Sequence, residues 1–416
     1  MVLDQAATGS GRQPVHTVYG GAQLFKVETP ARLGALALDL IRTYTPDAGL
    51  FAECLGLPPG QLAGVVFERT VAKLEREPVE DFRIDFEDGY GYRSEAEEDG
   101  HAVSTAKLLA RVSLPFCGIR IKALNPALGA RSSRTLNLFL DALLADSGRL
   151  PNNFVVTLPK ISEPLQVKQL VELLNRVEAK HGLERGAIPI ELMIETPQAI
   201  IDPSGGFGIP KLIEAAQGRC RGLHFGPYDY SASCNIAAAE QRLDHPACDF
   251  ARHVMQVCAA DRGVSLADGP STILPIPRYR APSNDQERAE NRRVVQRAMR
   301  HHFDLVQRSL SNGFYQGWDL HPGQLPTRYA AVFAFFLKSL DAATARLKNF
   351  IDQAAQATLV GDVFDDAATG QGLLNFLLRG VNCGAFTEQE AAKSGLTVDE
   401  LRGRSFVKIM ENRRKS

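Results

Sequence analysis

Acidic and basic side chains cluster at the ends of several short apolar segments in this sequence. The segment at 82–88 (FRIDFED) ends in carboxylates, and the one at 118–122 (GIRIK) carries an arginine and a lysine. The segments at 158–160, 191–196 and 226–230 each add further charged side chains. Carboxylates and cations that converge can bind a metal ion and an anionic substrate, or can transfer protons. Because a lone Asp after a strand is more often a helix cap, only the joint pattern indicates chemistry.

Glu195 is the most informative of these residues, because it lies in the otherwise apolar segment ELMIET. A partly buried carboxylate without a partner is energetically expensive, and a divalent metal or another cation would offset that cost. With Asp229 it would supply two oxygen ligands and leave positions for water and substrate, which suits Mg²⁺ or Mn²⁺ rather than structural zinc. Glu87 and Asp88 are predicted to hold the metal's waters, and Arg120 to bind a substrate carboxylate or enolate oxygen. Such a site would stabilise an enolate of a 2-oxo acid or a thioester.

The elements that must position these residues alternate between short apolar strands and longer amphipathic helices. The predicted strands are 16–25, 82–88, 117–122, 154–160, 188–195, 222–226, 264–268 and 314–321. Eight strands with intervening helical segments predict an α/β fold, the (β/α)8 TIM barrel. The alternative is a doubly wound open sheet, which usually carries a Gly-rich phosphate turn after its first strand, and the glycine pair at 20–21 alone does not make one.

Two regions exceed a minimal barrel. Residues 27–80 are too long for one connection and predict a helical insertion after the first strand. Residues 326–416 are mostly helical in pattern and are expected to form a C-terminal cap or extension. Residues 1–14 are predicted to be a flexible N-terminus, so the barrel, with its insertion, is predicted to span 15–325.

Composition and charge exclude several broad classes of protein. The 416 residues are 44% hydrophobic, which is enough for a large core. With 47 Lys and Arg against 48 Asp and Glu, the chain has no overall basic excess for binding a nucleic-acid backbone. Its apolar runs are shorter than the ~18–20 residues of a membrane helix, and the N-terminus lacks a secretory signal pattern. Seven scattered cysteines without a CxxC pair favour a cytoplasmic protein over a disulfide scaffold.

Seven motifs occur in order along the chain. They are DFEDGYG at 85–91, GIRIKALN at 118–125, LPKI at 158–161, MIETPQAI at 193–200, GLHFGPYDYS at 222–231, ADGP at 267–270 and GWDLHPGQL at 317–325. Together they resemble the HpcH/HpaI aldolase and citrate lyase β-subunit family, close to the malyl-CoA lyase branch, over about residues 80–330. The resemblance implies a (β/α)8 barrel that binds Mg²⁺ and makes or breaks carbon–carbon bonds through an enolate. It also implies a homo-oligomer of three or six subunits that acts on a small carboxylate or an acyl-CoA.

The same resemblance implies roles for individual residues. Glu195 and Asp229 would be the Mg²⁺ ligands, and Arg120 would bind the carbonyl and carboxylate of the substrate. Glu87 and Asp88 would form an acidic pair next to the metal.

Four further residues occupy motif positions. Lys160 and His321 are candidate catalytic residues, although anchoring of a strand end explains them equally well. Pro227 and Lys122 are candidate substrate-binding residues. Lys122 stands where the family often has Asn, and its positive charge would favour a more acidic or phosphorylated substrate. The general base is left open between a metal-bound water, His321 and a carboxylate of a neighbouring subunit.

Three functions remain open from the sequence. The first is a Mg²⁺-dependent carbon–carbon lyase or aldolase acting on a 2-oxo acid or an acyl-CoA-type substrate. The second is another enolate-forming reaction, namely condensation, thioester hydrolysis or phosphoenolpyruvate chemistry. The third is a metabolite-binding barrel without catalysis.

Overall fold

The computed structural model describes residues 12–353, 367–403 and 405–415. Most of the predicted flexible N-terminus (residues 1–11) and parts of the predicted C-terminal extension (354–366, 404 and 416) therefore lie outside the described residues. No helix in the described part of the chain combines the length and apolar character of a membrane-spanning segment.

Eight parallel strands form a barrel, which confirms the predicted fold class. They are β1 His16–Gly21, β2 Asp81–Asp85, β3 Phe116–Arg120, β4 Phe154–Leu158, β5 Ile190–Ile194, β6 Cys220–Phe225, β7 Ser265–Ala267 and β8 Gly317–Asp319. Each strand pairs with the next, and β1 also pairs with β8. A parallel bridge between Ala267 and Gln316 joins β7 to the residue before β8, so the sheet closes on itself. This closure excludes the doubly wound open sheet.

In the described residues, sixteen α-helices surround and extend the barrel. They are α1 Thr29–Tyr44, α2 Ala48–Leu55, α3 Gln61–Arg76, α4 Glu95–Leu109, α5 Gly129–Ser147, α6 Pro164–His181, α7 Pro197–Ile200, α8 Gly208–Ala215, α9 Pro227–Ser233, α10 Pro246–Ala259, α11 Asp285–Ser311, α12 Leu325–Gln353, α13 Ala367–Asn382, α14 Glu388–Ala391, α15 Val398–Gly403 and α16 Phe406–Lys415. Short 3₁₀ segments lie at Ala22–Leu24, Ala238–Glu240, Pro322–Gln324 and Ala392–Ser394.

Local sequence signals explain several helix ends. Pro164 begins α6, where its missing N–H costs no hydrogen bond, and Gly182 ends that helix in the left-handed conformation with φ of 67°. Asn284 caps α11 by accepting a hydrogen bond from the Glu287 N–H. Ser94 and Glu97 form a reciprocal capping box at the start of α4.

The segment at 27–80 folds into three helices, α1 to α3, as its helical pattern predicted. The long helix α12 packs against α3 and α11, and α13 packs against α12. The described C-terminal helices thus continue the helical layer around the barrel. The division of the chain at 325/326 stays a prediction, because α12 itself begins at Leu325.

A charged network fills the barrel interior, where bulky aliphatic side chains are more usual. The Arg83 side chain is 1% exposed and forms ion pairs with Asp81 and with Glu191, the latter through Nη2 at 2.8 and 2.9 Å. Thr157 hydrogen-bonds to Glu191 at 3.2 Å. Gly118 makes room for this network, because a Cβ there would lie 3.1 Å from Cδ of Arg83. The interior of the barrel therefore contains buried charges that compensate one another.

Candidate active site

The charged residues of the predicted site lie together at the C-terminal ends of the strands. Arg120 is the last residue of β3, and Glu195 directly follows β5. Lys160 lies two residues beyond β4, in the left-handed conformation with φ of 50°. Asp229 lies in the first turn of α9, which begins two residues after β6. Since parallel strands end at the same edge of a barrel, these positions share one rim.

Arg120 is held in one orientation by the strand next to it. Its Nε and Nη2 donate to the two oxygens of Asp85 at 2.7 and 2.5 Å, a forked pair that spans β3 and β2. The guanidinium lies 4.7 Å from the centre of the Tyr19 ring and 5.9 Å from that of Trp318. Nη1 is directed toward Glu87, at 3.4 Å from Oε2. Because Asp85 occupies the other two nitrogens, Nη1 is the donor that can reach a ligand.

Lys160 lies among acidic side chains that follow two different strands, β2 and β6. Its Nζ lies 2.5 Å from Oε1 of Glu87, 3.1 Å from Oδ1 of Asp88 and 3.4 Å from Oδ2 of Asp229. Burial works against its charge, but Glu195 and Glu87 outweigh that effect and raise the pKa of Lys160. Lys160 is therefore a permanent cation. It lies between Glu87 and Asp88, which follow β2, and the carboxylates of Glu195 and Asp229, which follow β5 and β6.

Glu195 is a buried carboxylate whose negative charge the surrounding protein compensates only in part. Its side chain accepts a hydrogen bond from the backbone N–H of Lys160 at 2.5 Å, and the residue is 1% exposed. Burial, together with the nearby Asp229 charge, raises the pKa of Glu195 to about 8 against the opposing effect of Lys160. A further cation at this point would stabilise the charged form.

The donor set fits a magnesium ion held by few protein ligands. Glu195 and Asp229 both present hard oxygen atoms, and Asp229 remains 45% exposed, so water and substrate can approach. Within the described ranges, no group of three or more His, Cys, Asp or Glu side chains forms a complete metal cage. Mg²⁺ commonly binds through one or two carboxylates and keeps several waters, whereas structural zinc needs a closed set of ligands.

Gly226 creates the space that the Glu195 carboxylate occupies. A Cβ at position 226 would lie 2.5 Å from both Cβ and Oε2 of Glu195. We therefore expect Gly226→Ala to displace the carboxylate and to lower Mg²⁺ affinity at least about tenfold, measured by titration calorimetry. Gly64→Ala on α3 is the matched control, because nothing lies within 4 Å of its added Cβ. Equal affinity in Gly226→Ala and wild type would contradict this role.

The predicted substrate residue Lys122 is engaged in a separate ion pair. Its Nζ lies 2.7 Å from Oε2 of Glu98 on α4 and donates to the Phe86 carbonyl at 2.8 Å. Glu98 also accepts a 2.6 Å hydrogen bond from Thr135. The positive charge predicted to favour an acidic substrate is thus balanced within the protein.

His321 and Pro227 occupy structural positions at the same rim. His321 precedes the 3₁₀ segment Pro322–Gln324, and its Nδ1 accepts a hydrogen bond from the Gly323 N–H at 3.0 Å. Among the described contacts, no hydrogen bond or ion pair joins His321 to the carboxylates of the cluster. Pro227 is buried as the first residue of α9, where its missing N–H is tolerated. Their proposed catalytic and binding roles stay predictions.

Three aromatic residues beneath the rim, Tyr19, His224 and Trp318, are not among the site residues predicted from the sequence. The Tyr19 hydroxyl and Trp318 Nε1 both lie within hydrogen-bond distance of His224 Nδ1, at 3.0 and 3.2 Å. His224 Nε2 faces Glu191 at 3.3 Å, so the contacts continue to the buried charge network. If both donate to Nδ1, the proton of neutral His224 lies on Nε2. The alternation in HTVYGG is the one signal that places Tyr19 inside the barrel.

The model of the DUF6986 family, described as a domain of unknown function, matches residues 6–409. No curated protein sequence matches the chain.

Solved structures similar to the chain include a citrate lyase from Burkholderia xenovorans LB400. It is 20% identical, with a TM-score of 0.59, over 95% of this chain and 98% of that one. This likeness shows a shared fold. A Haloferax volcanii malate synthase with magnesium and glyoxylate is 14% identical over 96% and 99% of the two chains, with a TM-score of 0.49. The protein CitE from Mycobacterium tuberculosis, with magnesium and acetoacetate, is 16% identical over 77% and 90%, with a TM-score of 0.42.

Proposed function

Because the chain belongs to the DUF6986 family, for which no activity is described, we propose its function from the geometry of the rim. We propose a Mg²⁺-dependent carbon–carbon lyase or aldolase that acts through an enolate on a 2-oxo acid or acyl-CoA-type substrate. The observation that carries the proposal is the buried carboxylate of Glu195, whose pKa is raised to about 8 beside Asp229 and Lys160. Such perturbed groups cluster at functional sites, because a bound ligand compensates them.

Glu195 and Asp229 would hold the metal ion. When bound, Mg²⁺ would supply positive charge that stabilises the negative oxygen of an enolate. Lys160 lies within 4 Å of Asp229 and of Glu87, so it keeps the surrounding carboxylates from repelling one another. We infer that it also holds the metal ligands in position.

Arg120 would bind the carboxylate of the substrate. Asp85 fixes its Nε and Nη2, which removes the freedom of a long side chain before a ligand arrives. Nη1 then donates to the substrate carboxylate in competition with Glu87 Oε2, 3.4 Å away. A preorganised arginine of this kind selects substrates with an anionic group next to the reacting carbonyl.

Glu87 is the proton carrier that we propose for the reaction. Burial and its neighbour Asp88 raise the pKa of Glu87 to about 7, although Arg120 and Lys160 oppose the shift. A carboxyl group with a pKa near neutrality can both accept and return a proton. In the cleavage direction it would take the hydroxyl proton of a 4-hydroxy-2-oxo acid while the carbon–carbon bond breaks. The products are an aldehyde and the enolate of the shorter oxo acid.

The test is turnover with and without metal over a small substrate panel. The panel holds free 4-hydroxy-2-oxo acids, β-hydroxyacyl-CoA esters such as malyl-CoA, and pyruvate in deuterated water, each with Mg²⁺ and with EDTA. We expect cleavage or proton exchange that requires Mg²⁺. Hydrolysis of a thioester without cleavage of a carbon–carbon bond would instead support the other enolate reactions. Mg²⁺ binding without any turnover would favour a metabolite-binding role.

A further inference from the structure

The Arg120 guanidinium packs against two aromatic rings inside the barrel. Asp85 holds one edge of the guanidinium through Nε and Nη2, but a forked pair of hydrogen bonds covers neither of its faces. The centre of the Tyr19 ring lies 4.7 Å from Arg120 Cζ, and that of the Trp318 ring lies 5.9 Å from it. Both distances fall within the ~6 Å over which an aromatic face attracts a cation. The rings therefore hold the plane of the guanidinium, which Asp85 alone does not.

The strand register places both rings on the inner side of the barrel. Tyr19 on β1 pairs with Arg83 on β2, whose side chain belongs to the buried charge network. Trp318 on β8 pairs with Thr17, which hydrogen-bonds to Asp81 of the same network. Residues in register on neighbouring parallel strands point to the same side of the sheet, and alternate residues of one strand do so too. The rings thus lie between the interior network and the charged rim.

A single histidine nitrogen anchors both rings. The Tyr19 hydroxyl and Trp318 Nε1–H point at the same acceptor, Nδ1 of His224 on β6, which is 1% exposed. The ring centres of Tyr19 and Trp318 are 4.6 Å apart, so the two rings also pack on each other. His224 is held in turn by Glu191, 3.3 Å from Nε2. The rings are therefore fixed before any ligand arrives.

We propose that Tyr19 and Trp318 are positioning residues, which fix the plane of the Arg120 guanidinium so that Nη1 is directed at the carboxylate of the substrate. The inference rests on the proposed function, because that function assigns the ligand of Nη1. The rings also keep water away from the guanidinium, which is 4% exposed. An ion pair at such a site is stronger than one in water, because the local dielectric constant is lower.

Two substitutions of Tyr19 separate the ring from the hydroxyl. Tyr19→Leu removes the ring, whereas Tyr19→Phe keeps it and leaves Trp318 to donate to His224. We expect KM of the active substrate, and the dissociation constant of pyruvate with Mg²⁺ measured by calorimetry, to rise about tenfold in Tyr19→Leu. Both should rise less than twofold in Tyr19→Phe. The value of kcat should stay within twofold, because the lost interaction binds ground state and transition state alike.

Mg²⁺ affinity distinguishes positioning of Arg120 from general damage to the rim. Among the described contacts, none joins Tyr19 or Trp318 to Glu195 or Asp229. Titration with Mg²⁺ alone should therefore give the wild-type dissociation constant in Tyr19→Leu. A parallel loss of Mg²⁺ affinity and of pyruvate affinity would show that the whole rim is disturbed, and would overturn the inference.

The matched control is Tyr315→Leu. Tyr315 also packs against an arginine, since Arg379 Cζ lies 3.9 Å from the centre of its ring. It precedes β8 and so lies at the end of the barrel opposite the rim. KM and the pyruvate constant should keep their wild-type values in this variant. A rise as large as that in Tyr19→Leu would also overturn the inference.

A double variant keeps the inference testable if Tyr19→Leu does not fold. Tyr19→Phe with Trp318→Phe retains two rings but removes both donors to His224 Nδ1. Each single variant keeps one donor, so the double variant should raise KM at least about threefold beyond the product of the two single effects. An effect equal to that product would contradict the anchoring by His224 and with it the inference.

The outcomes distinguish the inference from the proposed function. If the wild-type protein binds pyruvate or turns over a substrate with Mg²⁺, and Tyr19→Leu has the same constants, only the inference fails. If the wild-type protein neither binds nor turns over any member of the substrate panel, the proposed function fails and the inference fails with it.

Discussion

Replacing Glu195 with glutamine is expected to lower kcat/KM about 10³-fold while the protein stays folded. Glutamine has nearly the same shape but cannot supply the negative charge that a Mg²⁺ ligand requires. Stability should hold or rise, because the substitution removes a carboxylate that is 1% exposed and whose pKa burial raises to about 8. The measurements are steady-state turnover of the active substrate, Mg²⁺ affinity by calorimetry, and urea denaturation.

The matched control is Glu240→Gln. Glu240 is an exposed carboxylate of the 3₁₀ segment that follows α9, and it lies outside the cluster. Its loss should leave turnover and Mg²⁺ affinity unchanged. Wild-type turnover in Glu195→Gln would show that this carboxylate is not a metal ligand, and the proposed mechanism would lose its central residue.

Replacing Arg83 with methionine is expected to destabilise the protein by about 3–5 kcal/mol, the largest stability effect that we predict. Arg83 is the cation that compensates Asp81 and Glu191 in the barrel interior. Methionine fills much of the same volume but leaves two carboxylates buried without their partner. Urea denaturation, read by circular dichroism, measures the loss.

A second substitution tests whether charge is the cause. Adding Glu191→Gln to Arg83→Met should recover part of the loss, because one of the two uncompensated charges is removed. The control is Arg134→Met, in which a 59% exposed arginine loses its partner Asp99; no measurable destabilisation is expected because solvent screens this pair. An equal loss of stability in Arg83→Met and in the double variant would indicate that packing around Arg83, and not its charge, stabilises the barrel.

The fold was predictable because strand and helix signals are local. Each of the eight predicted strands contains or overlaps a strand of the barrel, and the first one alone runs on into a 3₁₀ segment, Ala22–Leu24. The charged amphipathic stretch at 284–310 likewise carries a local helix signal, and it forms α11, capped by Asn284. The spacing of apolar residues within a short segment indicates whether that segment is a strand or a helix. This spacing involves residues only a few positions apart, so the sequence alone shows it.

The charged rim was predictable only as a set. Parallel strands end at one edge, so the sequence indicated that Arg120, Lys160 and Glu195 would lie close together. It did not indicate that Asp85 fixes Arg120, or that Lys160 Nζ lies 2.5 Å from Glu87, 73 residues away. Nor did it indicate that Glu98 would balance Lys122.

The sequence by itself determined the eight βα units, the order of the strands and the residue types at the rim. Only the tertiary structure decided which charges meet. Arg83 pairs with Glu191 across 108 residues, and Tyr19 meets His224 across 205. The physical reason is that such contacts depend on the register of neighbouring strands and on closure of the barrel. A local sequence pattern indicates neither the strand register nor the closure of the barrel.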